Sequence, residues 1–209
     1  ALVTGGATGI GYAIAQTLLQ QGVRVSISGR NEANLQSALE TLRVYGEVQS
    51  VTMDVSESAS VLAGFAQARA GFGEIDILIN NAGIMAVPFS QSVDGYEMHL
   101  ATNHLGHFAL TASLLESLTA APSARVVTVS SVAAKQTAMS FDDITTDAGY
   151  EKWSAYARSK LANLLFTYEL HRKLQSSGST ISVLAAHPGL SSTNLFPDDS
   201  GRMGGIVKR

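Results

Sequence analysis

"ALVTGGATGIG", residues 1–11, decides the fold. A short apolar run from Ala1 to Thr4 enters a glycine-rich turn, and an amphipathic stretch follows from about residue 10. Strand, glycine turn and helix start together form an anion site, where backbone N–H groups and the positive helix end meet a phosphate. Gly5, Gly9 and Gly11 give the spacing G-xxx-G-x-G, which lets the backbone turn and come close. This is not the G-x-G-x-x-G fingerprint, because the sixth position from Gly9 is Ile14. Thr8 and Ile10 sit between the glycines and count with them as cofactor-binding residues. A plain tight turn is the alternative.

Outward from this turn, apolar runs alternate with amphipathic stretches. "ALVT" (1–4), "VRVSIS" (23–28), "VQSVTMD" (48–54), "IDILIN" (75–80), "ARVVTVS" (124–130) and "TISVLAAH" (180–187) are short, rich in Val and Ile, and bounded by Gly, Asn or Ser, as strands are. Helical periods fill 10–21, 32–44, 57–70, about 92–119 and 153–176. The first five strands are almost continuously apolar, which suits a parallel sheet buried on both faces. The alternation predicts a Rossmann-type doubly wound α/β fold of three layers, helices covering both faces of the sheet. With 209 residues, 45 % of them hydrophobic, and neither repeat nor linker, residues 1–209 read as a single domain, which the glycine turn makes a candidate NAD(P)-binding one. The chain opens inside an apolar run and closes at "GGIVKR", so trimming at both ends is expected.

Composition excludes several function classes. The net charge is −3 and no basic block occurs, so nucleic acid is not an expected partner. The absence of cysteine excludes disulfides, thiolate metal sites and thiol nucleophiles, and is compatible with a reducing compartment, so a cytoplasmic location is expected. No apolar run approaches the ~18 residues of a membrane-spanning helix, and no signal peptide or membrane segment is expected. Residues 133–152 are long and polar, either a surface excursion or a loop over a site.

In NAD-type sites an acidic residue at the end of the second strand holds the ribose 2′-OH. Here that place reads "SISGRN", with Arg30 and no carboxylate. An Arg can pair a 2′-phosphate, which a carboxylate would repel. NADP(H) is therefore favoured, with NAD(H) possible. The alternative is that Arg30 merely opens a helix on the surface.

At this point the chain resembles the short-chain dehydrogenase/reductase family. "TGGATGIG" (4–11) is similar to its cofactor turn and "NNAG" (80–83) to its Asn-Asn-Ala-Gly motif. "TNHLGHF" (102–108) resembles its Asn-bearing helix, and "VVTVSSVAA" (126–134) the stretch with its serine. "YARSK" (156–160) is similar to its YxxxK and "HPGLSST" (187–193) to its Pro-Gly segment. The motifs come in the family's order across nearly the whole chain. "NHLGHF" and "SKLANLLF" most resemble the branch with retinol dehydrogenases and WW-domain oxidoreductases.

The resemblance implies roles. Tyr156 would supply or take the proton of a carbonyl/alcohol pair. Its ordinary pKa of about 10 lies above the range where proton transfer is easiest, and a lowering of ~3 units needs about 4 kcal/mol. Lys160, one helical turn on, would lower it and hold the nicotinamide ribose. Ser131, the second of the Ser130–Ser131 pair, would stabilise charge on the carbonyl oxygen. Asn103 would organise a water beside Lys160; locally it could instead bond only its own helix. Asp54 would accept from the adenine amino group, with Val55 beside it. As a plain helix cap Asp54 competes with Ser56. Asn80, Asn81, Ala82 and Gly83 would line the adenosine side, and Pro188, Gly189 and Thr193 would flank the nicotinamide. A homodimer or homotetramer is also implied.

His99, His104, His107 and His171 have no metal-ligand partners in the sequence pattern and read as structural or solvated, and Trp153 reads as packing. Met85, Val87, Phe89, Met139, Phe141, Leu195 and Phe196 suggest a moderately apolar small-molecule substrate. The function expected is hydride transfer between a nicotinamide and a carbonyl/alcohol substrate. The alternatives are an epimerase or dehydratase on the same scaffold, or a catalytically idle nucleotide-binding regulator.

Overall fold

Six short parallel strands pair in the order β3-β2-β1-β4-β5-β6 in the computed structural model, which describes residues 1–139 and 149–189. The strands are β1 (Leu2–Thr4), β2 (Val25–Gly29), β3 (Val48–Thr52), β4 (Ile77–Asn80), β5 (Arg125–Val129) and β6 (Ser182–Ala186). Between them run α1 (Gly9–Gln20), α2 (Glu32–Leu42), α3 (Ser58–Phe72), α4 (Met98–Leu100), a π-helical turn (Ala101–Leu105) leading into α5 (Gly106–Ala120), a 3₁₀ turn (Val132–Gln136) and α6 (Lys152–Ser176). This is the Rossmann-type doubly wound sheet expected. Its strand order reverses between β1 and β4, where such sheets bind ligands beyond the strands' carboxyl ends.

Side chains of a strand alternate between the two faces of the sheet. Leu2, Leu78 and Val126 therefore fall on one face, in a core with Val61 of α3, Leu110, Leu114 and Leu118 of α5, and Leu174 of α6. Val3, Ile27 and Ile79 fall on the other, packed on Ala15 and Leu19 of α1 and Leu35 and Leu42 of α2. Helices thus cover both faces, which explains why these strands carry almost unbroken apolar sequence.

One expected helix starts later than its periodicity suggests. Residues 92–97 are not helical: Gln91 bridges Glu97, Gly95 has φ +82°, and α4 begins only at Met98. Glu97 sets the start, its carboxylate accepting from His99 N and Leu100 N at 2.9 Å each. A capping carboxylate satisfies first-turn N–H groups that have no partner within the helix.

The layered core makes a stability prediction. Leu114 is fully buried and Leu165 is 48 % exposed. Leu114→Ala is expected to cost about 2–5 kcal/mol, and Leu165→Ala no more than about 0.5 kcal/mol, in urea unfolding followed by circular dichroism. Equal losses would contradict the layer assignment.

Candidate active site

The turn after β1 is built for close approach. Gly5 takes φ +62°, a left-handed conformation that glycine adopts without strain. A Cβ on Gly11 would lie 2.1 Å from Gly5 O and 2.6 Å from Asn81 Nδ2, so no other residue fits there. Asn81 Nδ2 donates to Thr4 O at 2.7 Å, while Asn81 N and Ala82 N donate to Thr4 Oγ1 at 2.8 and 2.9 Å. The β4 exit is thereby tied to the β1 turn. Thr8 caps α1 without a side-chain hydrogen bond and the first turn carries no acidic residue, so the positive helix end faces the turn uncompensated.

A cleft of about 510 Å³ runs over the carboxyl ends of the strands. On the β2–β3 side of the switch point its wall includes Gly5, Thr8, Gly9, Ile10, Gly11, Arg30, Asp54 and Val55. Asn81, Ala82 and Gly83 lie at the switch point, and Ser131, Tyr156, Lys160, Pro188 and Gly189 on the β5–β6 side. Thr193, Phe141, Leu195 and Phe196 lie outside the described residues. Asn80 is corrected: it is turned away from the cleft, its Nδ2 donating to Thr111 Oγ1 at 3.0 Å, because alternate strand residues point to opposite faces. Asn81 takes the cleft position. Asp54 does not cap α3, whose cap is Glu57. Its Oδ1 accepts from Ser56 N and Ser56 Oγ at 2.8 and 2.6 Å, and its Oδ2 lies 3.5 Å from Arg30 Nη1.

On the β5–β6 side the functional side chains converge through α6. Tyr156 is buried and hydrogen-bonded to Ser131, and Lys160 Nζ lies 5.8 Å from the centre of the Tyr156 ring. Lys160 Nζ donates to Val129 O at 3.1 Å. The two serines differ in direction: Ser130 Oγ donates to Lys160 O at 2.7 Å, while Ser131 lies beside Tyr156 and accepts from Ala133 N at 3.2 Å. Burial pushes the Tyr156 phenol above its ordinary value, and the Ser131 hydrogen bond pulls it part of the way back. Lowering of the Tyr156 pKa is expected from Lys160 together with the positive nicotinamide of an oxidised cofactor; among the protein's own groups burial is the larger influence. Burial also brings Lys160 down to about 8, which weakens it as a fixed positive charge.

Asn103 stands behind the wall rather than in it. Its Oδ1 accepts from Ile84 N at 2.8 Å, and its Nδ2 donates to Ile84 O and Ser159 Oγ at 3.0 and 2.8 Å. It sits in the π-helical turn, a geometry often found at functional sites. The histidines near it are hydrogen-bonded inside the protein. His107 is fully buried between Thr4 Oγ1 (2.9 Å) and Asn103 O (3.0 Å), and burial takes its pKa down to about 4. His104 Nδ1 meets Asn163 Oδ1 at 3.3 Å. No group of three metal-ligating side chains occurs among the described residues. Trp153 packs with Met85, Ala86 and Tyr156, as its packing reading requires, and it also lines the cleft.

Sequence reasoning missed Ser28, Asn34, Thr102 and Gln136, which also line the cleft. Ser28 Oγ and Thr102 Oγ1 are buried there without a hydrogen-bond partner among the described residues. Their only sequence signal is position: Ser28 precedes Arg30 at a strand end, and Thr102 precedes Asn103.

A family model described as short chain dehydrogenase matches residues 1–202. Retinol dehydrogenase 12 of Homo sapiens is 42 % identical over 202 residues, covering 95 % of this chain and 63 % of its own. Polyprenol dehydrogenase of Homo sapiens is 37 % identical over 203 residues, covering 94 % and 62 %. The chain therefore spans just over three-fifths of these curated relatives. Among solved structures, an uncharacterized protein from Mycobacterium paratuberculosis superposes with TM-score 0.81 at 44 % identity, covering 93 % of this chain and 69 % of that one. Pseudomonas aeruginosa RhlG in an NADP active-site complex superposes with TM-score 0.74 at 33 % identity, covering 93 % and 73 %.

The Lys160 environment predicts a pH dependence. Its folded pKa, about 8, lies below the ordinary 10.5. The unfolded chain therefore binds more protons between these values, and stability rises with pH across that window. The expected gain is about 3 kcal/mol by pH 10.5, with the full cost of the buried charge present below pH 8. Urea unfolding from pH 7 to 10.5 is expected to show this slope in the wild type and its loss in Lys160→Met. An identical slope in both proteins would contradict the assignment.

Proposed function

The chain belongs to the short-chain dehydrogenase family, in its retinol dehydrogenase-like branch, and we propose that it is an NADP(H)-dependent oxidoreductase acting on an apolar carbonyl/alcohol pair. The observation that carries this reading is one cleft that joins a phosphate-type glycine turn to a buried Ser131–Tyr156–Lys160 cluster. The residues fit a dinucleotide: the Gly5–Gly11 cradle admits no Cβ at Gly11, and Ser28 and Thr102 hold unpartnered hydroxyls in the same wall. When bound, the dinucleotide supplies the hydride.

The chain's own groups then position the carbonyl and handle the proton. Ser131 Oγ donates toward the carbonyl oxygen as charge develops there. Tyr156 Oη gives its proton to that oxygen. The phenol is protonated at neutral pH, as donation requires. Its burial-raised pKa opposes proton release, so the Ser131 hydrogen bond and the bound cofactor's charge would have to offset that shift. Lys160, Pro188 and Gly189 border the nicotinamide side, with Thr193 expected beside them. Asn103 acts through its hold on Ile84 and Ser159, on the Lys160 side of the cleft. The Met85 and Trp153 surfaces give the reaction end its apolar character. Relatives named for retinol and polyprenol support an apolar alcohol or aldehyde as substrate.

Preference for NADP(H) over NAD(H) rests on Arg30. Its pair with Asp54 is 3.5 Å long and its side chain is 62 % exposed, so the pair contributes about 0–1 kcal/mol. A bidentate contact with a 2′-phosphate is stronger. Residues 1–209 are proposed as one dinucleotide-binding domain. Self-association through α5 and α6, as the resemblance implies, would cover Phe108, Leu165 and Tyr168. Cytoplasm is the proposed location, on the cysteine-free composition. No described helix is long and apolar enough to cross a membrane.

Fluorescence titration is expected to show tighter binding of NADPH than of NADH, with Arg30→Ala removing the difference. NADPH oxidation, followed by absorbance with decanal and all-trans-retinal, is expected to fall about 10²–10⁴-fold in Tyr156→Phe while NADPH still binds. Failure to bind either dinucleotide would overturn the proposal, as would full activity of Tyr156→Phe.

A further inference from the structure

His99, Asn103, His107 and Thr111 stand at four-residue spacing along the helical run through α4, the π-helical turn and α5, and all four are buried. This spacing keeps side chains on one face. Two of them bond the last residue of β4 and the end of β1, and two bond the segment that leaves β4. Thr111 holds Asn80, and His107 holds Thr4, which in turn accepts the N–H groups of Asn81 and Ala82. Asn103 holds Ile84, and His99 Nε2 accepts from Val87 N in a long hydrogen bond of 3.4 Å.

The His99 rung has the most support. His99 Nδ1 lies 2.8 Å from Glu97 Oε1, so Nδ1 carries the proton and Nε2 is free to accept. Tyr150 Oη donates to the carbonyl oxygen of the same residue, Val87 O, at 2.9 Å. Ala86, held between Met85 and Val87, has φ +52°, a strained conformation for a residue with a Cβ. Met85 and Ala86 pack directly on Tyr156, and the His99 ring meets the Tyr156 ring edge-on with centres 6.3 Å apart.

We infer that His99 is a positioning residue of the carbonyl site: with Glu97 and Tyr150 it clamps Val87 and holds the strained Met85–Ala86 wall against Tyr156. This inference rests on the reading of Tyr156 as proton donor. The clamp excludes water from one side of the phenol and sets the depth available to the substrate. It touches no wall of the cleft on the β2–β3 side, so its loss separates substrate recognition from dinucleotide binding.

The test uses His99→Leu, with Tyr150→Phe as a second variant that keeps the imidazole and His99→Gln as the conservative one. Amide exchange at Val87 is expected to quicken about tenfold in His99→Leu. Titration of the ¹³Cζ-labelled tyrosines is expected to move Tyr156 down toward its ordinary value of about 10 as water gains access. KM for decanal is expected to rise roughly three- to tenfold, while the Kd for NADPH stays within about twofold. Tyr150→Phe gives the same pattern more weakly, and His99→Gln, whose amide oxygen can accept from Val87, recovers most of it. Unchanged Val87 exchange with an unchanged Tyr156 titration overturns the inference. So does a proportionate rise in KM and NADPH Kd, the mark of a merely structural role. If the wild type turns over no aldehyde, the oxidoreductase reading fails by itself, and the exchange and titration results still decide the role of His99.

Discussion

The chain between β4 and Val87 leaves the sheet and runs half-buried along the cleft, with Met85 and Ala86 buried, so its backbone N–H groups need partners that are not strands. Side chains supply them: Thr4 for Asn81 and Ala82, Asn103 for Ile84, His99 for Val87. An unmade buried hydrogen bond costs about 1–3 kcal/mol, so several losses would displace the segment. Its displacement would move Ala82 and Gly83 at the switch point and Met85 beside Tyr156 together. The two ends of the cleft thus share one floor, and the buried polar face of the long helical run holds it.

Burial shapes the chemistry as much as hydrogen bonding does. Tyr156 and Lys160 are shifted in opposite directions, each toward its uncharged form. Among the described residues no carboxylate is paired with Lys160, and its one hydrogen bond from Nζ goes to Val129 O. A cation desolvated without a counter-charge lowers its own pKa. The Tyr-x-x-x-Lys spacing therefore brings the two groups to one place, while the surrounding core decides how they titrate.

Much of this was legible in the sequence because it depends on local pattern. Six runs rich in Val and Ile became six strands, and the G-xxx-G-x-G turn became the cradle at Gly5 and Gly11. The departures are tertiary. Residues 92–97 carry helical periodicity, but Glu97 turns its carboxylate back as a cap and Gly95 breaks the run. Asn80 and Asn81 are adjacent and chemically identical, and only the strand's alternation decides which faces the cleft. The Tyr156 shift follows from what packs around the ring, which no spacing of Tyr and Lys can encode. His99 and His107 were read singly as structural; their four-residue relation to Asn103 is visible in the sequence, but the segment they grip is not.

One cleft over the β1–β4 switch point is proposed to hold a dinucleotide with its reactive end at Tyr156. A crystal structure of the chain grown with NADPH tests this most directly. Pyrophosphate density is expected over the Gly5–Gly11 turn, the 2′-phosphate at Arg30, and the nicotinamide between Gly189 and Tyr156. Density for NADPH at another surface, or the reverse orientation with the nicotinamide at Arg30, would contradict it.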